Sequence, residues 1–336
     1  MPLGRYDTPS WNAGRFCMPG VLITGAAGMV GSHLLERLAA DGAEVVASYF
    51  RPTIRLADIA GFPLQELDVR YAEPVRRMIA AQRPDTIFHL AAQSLPVVSW
   101  RNPWETLEVN VIGTVNVFEA VRSVRADIDA AYDPIVVVAC SSAEYGASLT
   151  ADQLPVDEEA PLLPLHPYGV SKVAQDLLAF QYFRNERIRC IRARIFNCTG
   201  PRKQTDVVSD FCRRVAEIAR TGTCGVLRVG NLATHRAILD VRDLVDGLLA
   251  LAERGVPGEA YNICAEQTVR IGELVPLLER LAGVRLVPEI DLALLRPSDE
   301  KAIWGRTEKL TQATGWRQRV ALEETVAAVL DYERGA

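Results

Sequence analysis

In the stretch HPYGVSK, residues 166–172, Tyr168 stands four positions before Lys172, one of only four lysines among 336 residues. On a helix, positions i and i+4 share a face, so the two side chains can meet for purely local reasons. The chemical reading is sharper. An ammonium held near a phenol favours the phenolate and draws a pKa that starts near ~10 toward the range of a working general acid or base. Such a pair needs a group to hold the substrate and a cofactor to act beside. The stretch ACSSAEYG offers the first, since Ser141 and Ser142 follow the apolar run IVVVAC. If that run is a strand of an open α/β sheet, its carboxyl end is where ligands bind. Ser141, Tyr168 and Lys172 together then read as a proton-handling set beside a nicotinamide.

The elements that must position this set alternate along the chain. From Gly20 apolar runs (GVLIT, AEVVASYF, LQELDV, DTIFHL, PIVVVAC) are separated by amphipathic segments, including a helix expected over 103–124. This rhythm predicts βαβ units and a parallel sheet wound on both faces. The unbroken apolar residues 135–138 fit a strand buried on both sides. The first strand runs into TGAAGMVGSHL, with Gly25, Gly28 and Gly31 spaced G-x-x-G-x-x-G. After a strand and before a helix, such glycines allow a tight turn on which a pyrophosphate meets the helix N-terminus. The second strand ends in VVASYFRP, without the carboxylate that would bind the adenine ribose hydroxyls. Ser48, Tyr49 and Arg51 stand there instead, and an arginine at that point accepts the 2′-phosphate of NADP. NADP(H) is therefore the preferred cofactor; with Arg51 as a solvent-facing loop residue, NAD(H) is the alternative.

Length allows about two domains at ~150 residues each, or one large α/β domain with an insertion. The flexible leader is expected over 1–17 and the dinucleotide-binding domain over 18–196, with late elements from about 237–264. The rest, 197–236 and 265–336, reads as a nucleotide-sugar-binding lobe rich in Gly, Pro and Arg. Net charge is −5, and the 33 arginines are scattered among Asp and Glu, which points to a mixed solvated surface and no nucleic-acid partner. No apolar run approaches the ~18 residues of a membrane span, so no membrane partner is expected. Seven cysteines without a C-x-x-C pair fit a reducing, cytoplasmic setting and predict no metal site.

The sequence resembles the extended short-chain dehydrogenase/reductase family through TGAAGMVGSH, LDV (67–69), HLAAQS (89–94), NVIGT (110–114), SSAEYG (141–146), YGVSK and RIFNCTGP (194–201). The resemblance runs from about Val21 onward and implies a Rossmann-type doubly wound α/β fold with a smaller, interleaved C-terminal lobe. It implies Ser141 as the substrate-binding hydroxyl, Tyr168 as acid/base, and Lys172 as holder of the nicotinamide ribose that lowers the tyrosine pKa. Cofactor contacts are implied at Gly25, Gly28, Met29, Val30, Leu90, Ala91 and Ala92, with Asp68 and Val69 around adenine. Gln93, Ser94 and Ser142 are implied on the substrate side. Homodimers through the helices at 103–124 and 170–184 are implied too. Within the family, VSWRNPWET, VGNLATHRAILDVRDLV and RPSDE (296–300) look like the branch acting on GDP-mannose derivatives. That branch's pattern implies Asn197, Arg236 and Arg296 on the nucleotide diphosphate, a role suited to the guanidinium fork.

The reaction follows from what neighbours Ser141. A 4,6-dehydratase removes a proton from C5 and expels the C6 hydroxyl, which needs a further acid/base carboxylate. Ser142 and Ala143 occupy the positions concerned, and Glu144, one step on, is expected to point elsewhere. NADPH-dependent reduction of a GDP-4-keto-6-deoxyhexose is thus expected. A 4-epimerase or GDP-mannose 4,6-dehydratase is the alternative. Cys198, where the branch often has His, is expected to be a packed thiol, with an acid/base role in epimerisation as the other reading. A non-catalytic nucleotide-sugar or NADP sensor is a reading from another class, against which the complete Ser141, Tyr168 and Lys172 set argues.

Overall fold

The computed structural model describes residues 16, 18, 20–295 and 301–335. Of the leader expected over 1–17 only Phe16 is among them; it is buried, under the Arg37 guanidinium, and its N–H faces Asp41. The chain begins with the expected alternation: β1 (Val21–Thr24), α1 (Met29–Ala40), β2 (Val45–Tyr49), β3 (Leu64–Glu66), α2 (Ala72–Gln82) and β4 (Thr86–His89). The helix expected over 103–124 is broken. After α3 (Pro96–Arg101) come α4 (Pro103–Leu107), a π turn at Glu108–Ile112, and α5 (Gly113–Asp127). The Asn102 side chain caps α4 by accepting from the Glu105 N–H, and the π turn buries Asn110, a distortion of the kind often found at functional sites.

Next come β5 (Ile135–Ser141), a 3-10 turn at Ser142–Glu144, α6 (Pro167–Glu186) and β6 (Cys190–Ile195). The remainder is β7 (Cys198–Thr199), α7 (Val207–Thr221), β8 (Cys224–Val229), β9 (His235–Arg236), β10 (Leu239–Asp240), α8 (Val241–Arg254) and β11 (Ala260–Ile263). After these follow β12 (Val269–Arg270), α9 (Leu274–Ala282), β13 (Arg285–Ile290), β14 (Ala302–Ile303), α10 (Glu308–Thr314) and α11 (Leu322–Arg334). Seven strands form one sheet in the order β11-β6-β5-β4-β1-β2-β3, with every pairing parallel. The order reverses between β1 and β4, the switch point at which such sheets bind ligands.

Side chains of a strand alternate between faces, and the two cores divide accordingly. Val21, Ile23, Phe88 and Val137 pack with Leu34 and Leu38 of α1 and Leu244 and Leu248 of α8. Leu22, Ile87, Val136 and Val138 pack with Ile79 of α2 and Val117 and Val121 of α5 on the other face. A third cluster joins Phe211, Val215, Leu227, Leu274, Leu278, Val326 and Leu330. Its residues all come from beyond Arg202, so the late part of the chain has an apolar core of its own.

Candidate active site

The glycine turn after β1 is pressed against the loop after β4. Gly25 has φ +78°, and a Cβ there would lie 2.8 Å from the Ala91 nitrogen. The Leu90 N–H bonds the Thr24 carbonyl, and the Ala91 N–H bonds the Thr24 hydroxyl. Gly28 is the N-cap of α1, with no side chain capping it and no acidic residue in the first turn with Met29 and Val30. A Cβ on Gly31 would stand 2.3 Å from the Gly25 carbonyl oxygen, which forces glycine where helix crosses turn. Uncapped first-turn N–H groups at a positive helix end suit a pyrophosphate. The residues present therefore fit a dinucleotide.

At the rim, Arg51 is an exposed loop residue with φ +50° that pairs with Glu105 and lies over the Phe50 ring. Asp68 is held by Arg70, whose Nε donates at 3.0 Å to both carboxylate oxygens. Burial raises the Asp68 pKa, but these bonds and the Arg70 and Arg51 charges carry it below the usual carboxylate range. Val69 is buried in the second core, its carbonyl accepting from Asn116. Arg70, which sequence reasoning passed over, lies over the same Phe50 ring, 5.6 Å from its centroid; its signal was its place two residues after Asp68.

Ser141 ends β5 and Tyr168 opens α6, and one glycine explains how they meet. A Cβ on Gly169 would lie 2.6 Å from the Ala143 carbonyl oxygen, so the first turn of α6 sits directly on the turn after Ser141. His166 caps that helix, its Nδ1 accepting from the Gly169 N–H at 3.0 Å. Tyr168 and Lys172 are both buried. Lys172 Nζ donates to the Ala139 carbonyl at 2.7 Å and lies 5.7 Å from the Tyr168 ring centroid. Burial pushes the phenol up to about 12, against a hydrogen bond with Ser141 and with the Glu144 and Cys140 charges adding to the rise. The net direction is thus opposite to the lowering expected from Lys172. Lys172 itself is pulled down to about 8 by burial, opposed by Cys140 and Glu144.

On the substrate side Gln93 is locked in place: its N–H bonds Asn110 Oδ1 at 2.8 Å and its Nε2 bonds the Thr106 hydroxyl at 2.9 Å. Asn110 in turn donates to the Ser171 hydroxyl at 2.8 Å, tying this loop to the helix of Tyr168. Ser94 is exposed and Ser142 buried. Asn197 Nδ2 is buried with no hydrogen-bond partner among the described residues. Arg236 lies in β9, whose neighbour β14 begins just after residues 296–300; Arg296 lies outside the described residues. Cys198 is half-buried, and burial raises its thiol pKa far above the working range, as a packed thiol requires.

Beneath Ser141 lies a charged layer that the sequence hardly announces. Asp176 accepts from Arg194 Nε at 2.9 Å and Arg192 at 2.6 Å. Arg194 also donates to the Tyr145 hydroxyl and the Glu158 carbonyl. The available signals were Arg192 and Arg194 at i and i+2 of a buried strand, and Asp176 one turn after Lys172.

Residues 22–329 match the family model described as GDP-mannose 4,6 dehydratase. The chain is 30% identical to GDP-6-deoxy-D-mannose reductase of Pseudomonas aeruginosa, over 93% of this chain and 97% of that protein. It is 28% identical to GDP-mannose 4,6 dehydratase 2 of Arabidopsis thaliana, over 92% and 88%. Among solved structures it is similar to RMD from Pseudomonas aeruginosa complexed with NADPH, with TM-score 0.80, 28% identity and coverage of 95% and 99%. It is also similar to a Thermus thermophilus UDP-glucose 4-epimerase complex with NAD, with TM-score 0.80, 27% identity and coverage of 95% and 100%.

Proposed function

We propose, from the premise that this chain belongs to the GDP-mannose 4,6-dehydratase family and is a nucleotide-sugar-modifying enzyme, that it reduces a GDP-4-keto-6-deoxyhexose with NADPH. The observation that carries the choice of reaction is the turn after Ser141. Dehydration needs a carboxylate, or an equivalent, at C5 and C6. Ala143 offers a methyl group. Glu144 turns inward, one oxygen accepting from the Ser141 N–H at 2.8 Å and the other facing Arg194 at 3.4 Å. Reduction makes no such demand.

When bound, the nicotinamide cofactor supplies the hydride. Gly25, Gly28 and the first turn of α1 would hold its pyrophosphate, the loop at Leu90, Ala91 and Ala92 would flank it, and Lys172 would hold its ribose. The Ser141 hydroxyl holds the ketone oxygen, and the Tyr168 phenol delivers to that oxygen the proton that makes it a hydroxyl. Support for NADPH over NADH comes from the absent carboxylate at the end of β2; Arg51, exposed on the loop and paired with Glu105, would have to exchange that partner for a 2′-phosphate. The Pseudomonas relative's NADPH is a further support. The Asn197 Nδ2, buried and without a hydrogen-bond partner among the described residues, supports a nucleotide-sugar subsite completed by Arg236 and Arg296 in the lobe formed by 197–236 and 265–336. Exposed Val170, Leu177 and Phe180 on α6 and Trp104 on α4 support pairing of two copies through these helices.

The test is incubation with two substrates. GDP-4-keto-6-deoxy-D-mannose with NADPH should oxidise the cofactor and gain two hydrogens by mass. GDP-mannose with NADP or NAD should be returned unchanged; loss of one water from it sinks the assignment.

A further inference from the structure

We propose that Glu144 is a positioning residue for Ser141, holding from beneath the sheet the hydroxyl that receives the ketone oxygen. The proposal rests on Ser141 having that role. Glu144 is fully buried, and a carboxyl in such a place is costly unless something there uses it. The obvious use is as counter-ion to Arg194, yet Arg194 does not require it. Its Nε already donates to Asp176, and a terminal nitrogen donates to the Tyr145 hydroxyl and the Glu158 carbonyl. The hydrogen bond that Glu144 does make goes to Ser141: Oε1 accepts from the Ser141 N–H at 2.8 Å, while Oε2 has no hydrogen-bond partner among the described residues.

The return contact closes a clamp. The Ser141 hydroxyl oxygen accepts from the Ala143 N–H at 3.2 Å, so backbone and side chain of one residue are held from both sides, as in a capping box. With one lone pair so engaged, the hydroxyl keeps its proton and its other lone pair for the substrate and Tyr168. The groups facing Glu144 are Lys172 and Asp176 from α6, Arg194 from β6, and Cys140 from β5. Burial and the Asp176 charge hold its carboxyl well above the ordinary carboxylate range. Glutamine is therefore its close mimic, equal in length and still an acceptor for the Ser141 N–H.

The experiment compares Glu144→Gln with Glu144→Met, which keeps the volume but has no oxygen, each alone and combined with Ser141→Ala. NADPH binding by fluorescence and thermal unfolding check the fold. The Gln variant should keep kcat within about threefold of the parent. The Met variant should lose about 10- to 100-fold in kcat, as a misoriented reacting group does, with NADPH affinity and the sugar KM within about threefold. In the Ser141→Ala background the Met change should cost nothing further, because the two residues act as one unit. Undiminished turnover in Glu144→Met, or the same loss with and without Ser141, overturns the proposal. If the Met variant does not fold, a collapse of kcat in a folded Gln variant overturns it and near-parental turnover there supports it. An active Ser141→Ala single variant instead refutes the role of Ser141 itself, whatever Glu144 does.

Discussion

Replacing Asp176 by alanine should destabilise the protein by about 3 kcal/mol, the low end of the ~3–5 kcal/mol seen when one member of a buried ion pair is removed. Asp176 is fully buried and its partners Arg194 and Arg192 are 5% and 13% exposed, so solvent screens little of the loss. The low end is chosen because Glu144 stands 3.4 Å from Arg194 Nε and can take over part of the charge. Asp176→Asn keeps one acceptor and should cost roughly half as much. Urea titration at neutral pH is the assay, with an unchanged m-value as the sign that only stability has moved. Burial raises the Asp176 pKa, but the hydrogen bond and charge of Arg194, and then Arg192, carry it below the ordinary value. Its stabilisation is therefore complete above an unfolded pKa near ~3.9 and is lost as pH falls through the lower folded value. The gap between parent and variant should narrow accordingly in acid. Asp176 also lies one turn beyond Lys172 on α6, so NADPH affinity should weaken with it. A cost under about 1 kcal/mol would refute the view that two guanidiniums in this layer depend on Asp176.

Tyr168→Phe should lower kcat by about 10²–10⁴-fold with NADPH still bound, since only the transferred proton is removed; Lys172→Ala should harm both, as steady-state kinetics and cofactor titration will show. Arg51→Ala should raise the KM for NADPH at least about tenfold while changing that for NADH little; an equal change in both would argue for NAD. Burial, and next the Lys172 charge, hold His89 neutral with a pKa down to about 3. Its contribution to stability is full above an unfolded pKa near ~6.5 and is lost as pH falls from there toward 3, so His89→Gln should flatten the stability–pH curve over that window. Leu177→Asp on the exposed face of α6 should halve the mass measured by light scattering, whereas Val287→Asp, exposed on β13, should leave it unchanged.

Much of this protein was legible in one dimension because the signals are local. Glycine spacing after β1, apolar runs between amphipathic segments, and the interval from Tyr168 to Lys172 are properties of neighbouring residues, set by the periods of strand and helix. They announced the parallel sheet and the glycine turn that opens α1, and they placed Ser141 at a strand's carboxyl end and Tyr168 and Lys172 on one helix. Glu144 was expected only to point elsewhere; that it turns inward onto the Ser141 N–H was not legible. The fold of 103–124 was less readable: the helical period runs through it, yet Asn102, Pro103 and the π turn break it to bring Asn110 against Gln93 and Ser171.

Tertiary structure alone decided which charges meet and in what medium. Arg194 reaches Asp176 across 18 residues and Asn110 reaches Ser171 across 61, distances at which no periodicity carries information and only the strand order brings partners together. The upward shift of Tyr168 and the downward shifts of Lys172 and His89 have burial as their first cause. Residue types and their spacing determine what chemistry a site can attempt. The desolvation that sets each proton's affinity exists only once strands, helices and their cores have closed over those residues.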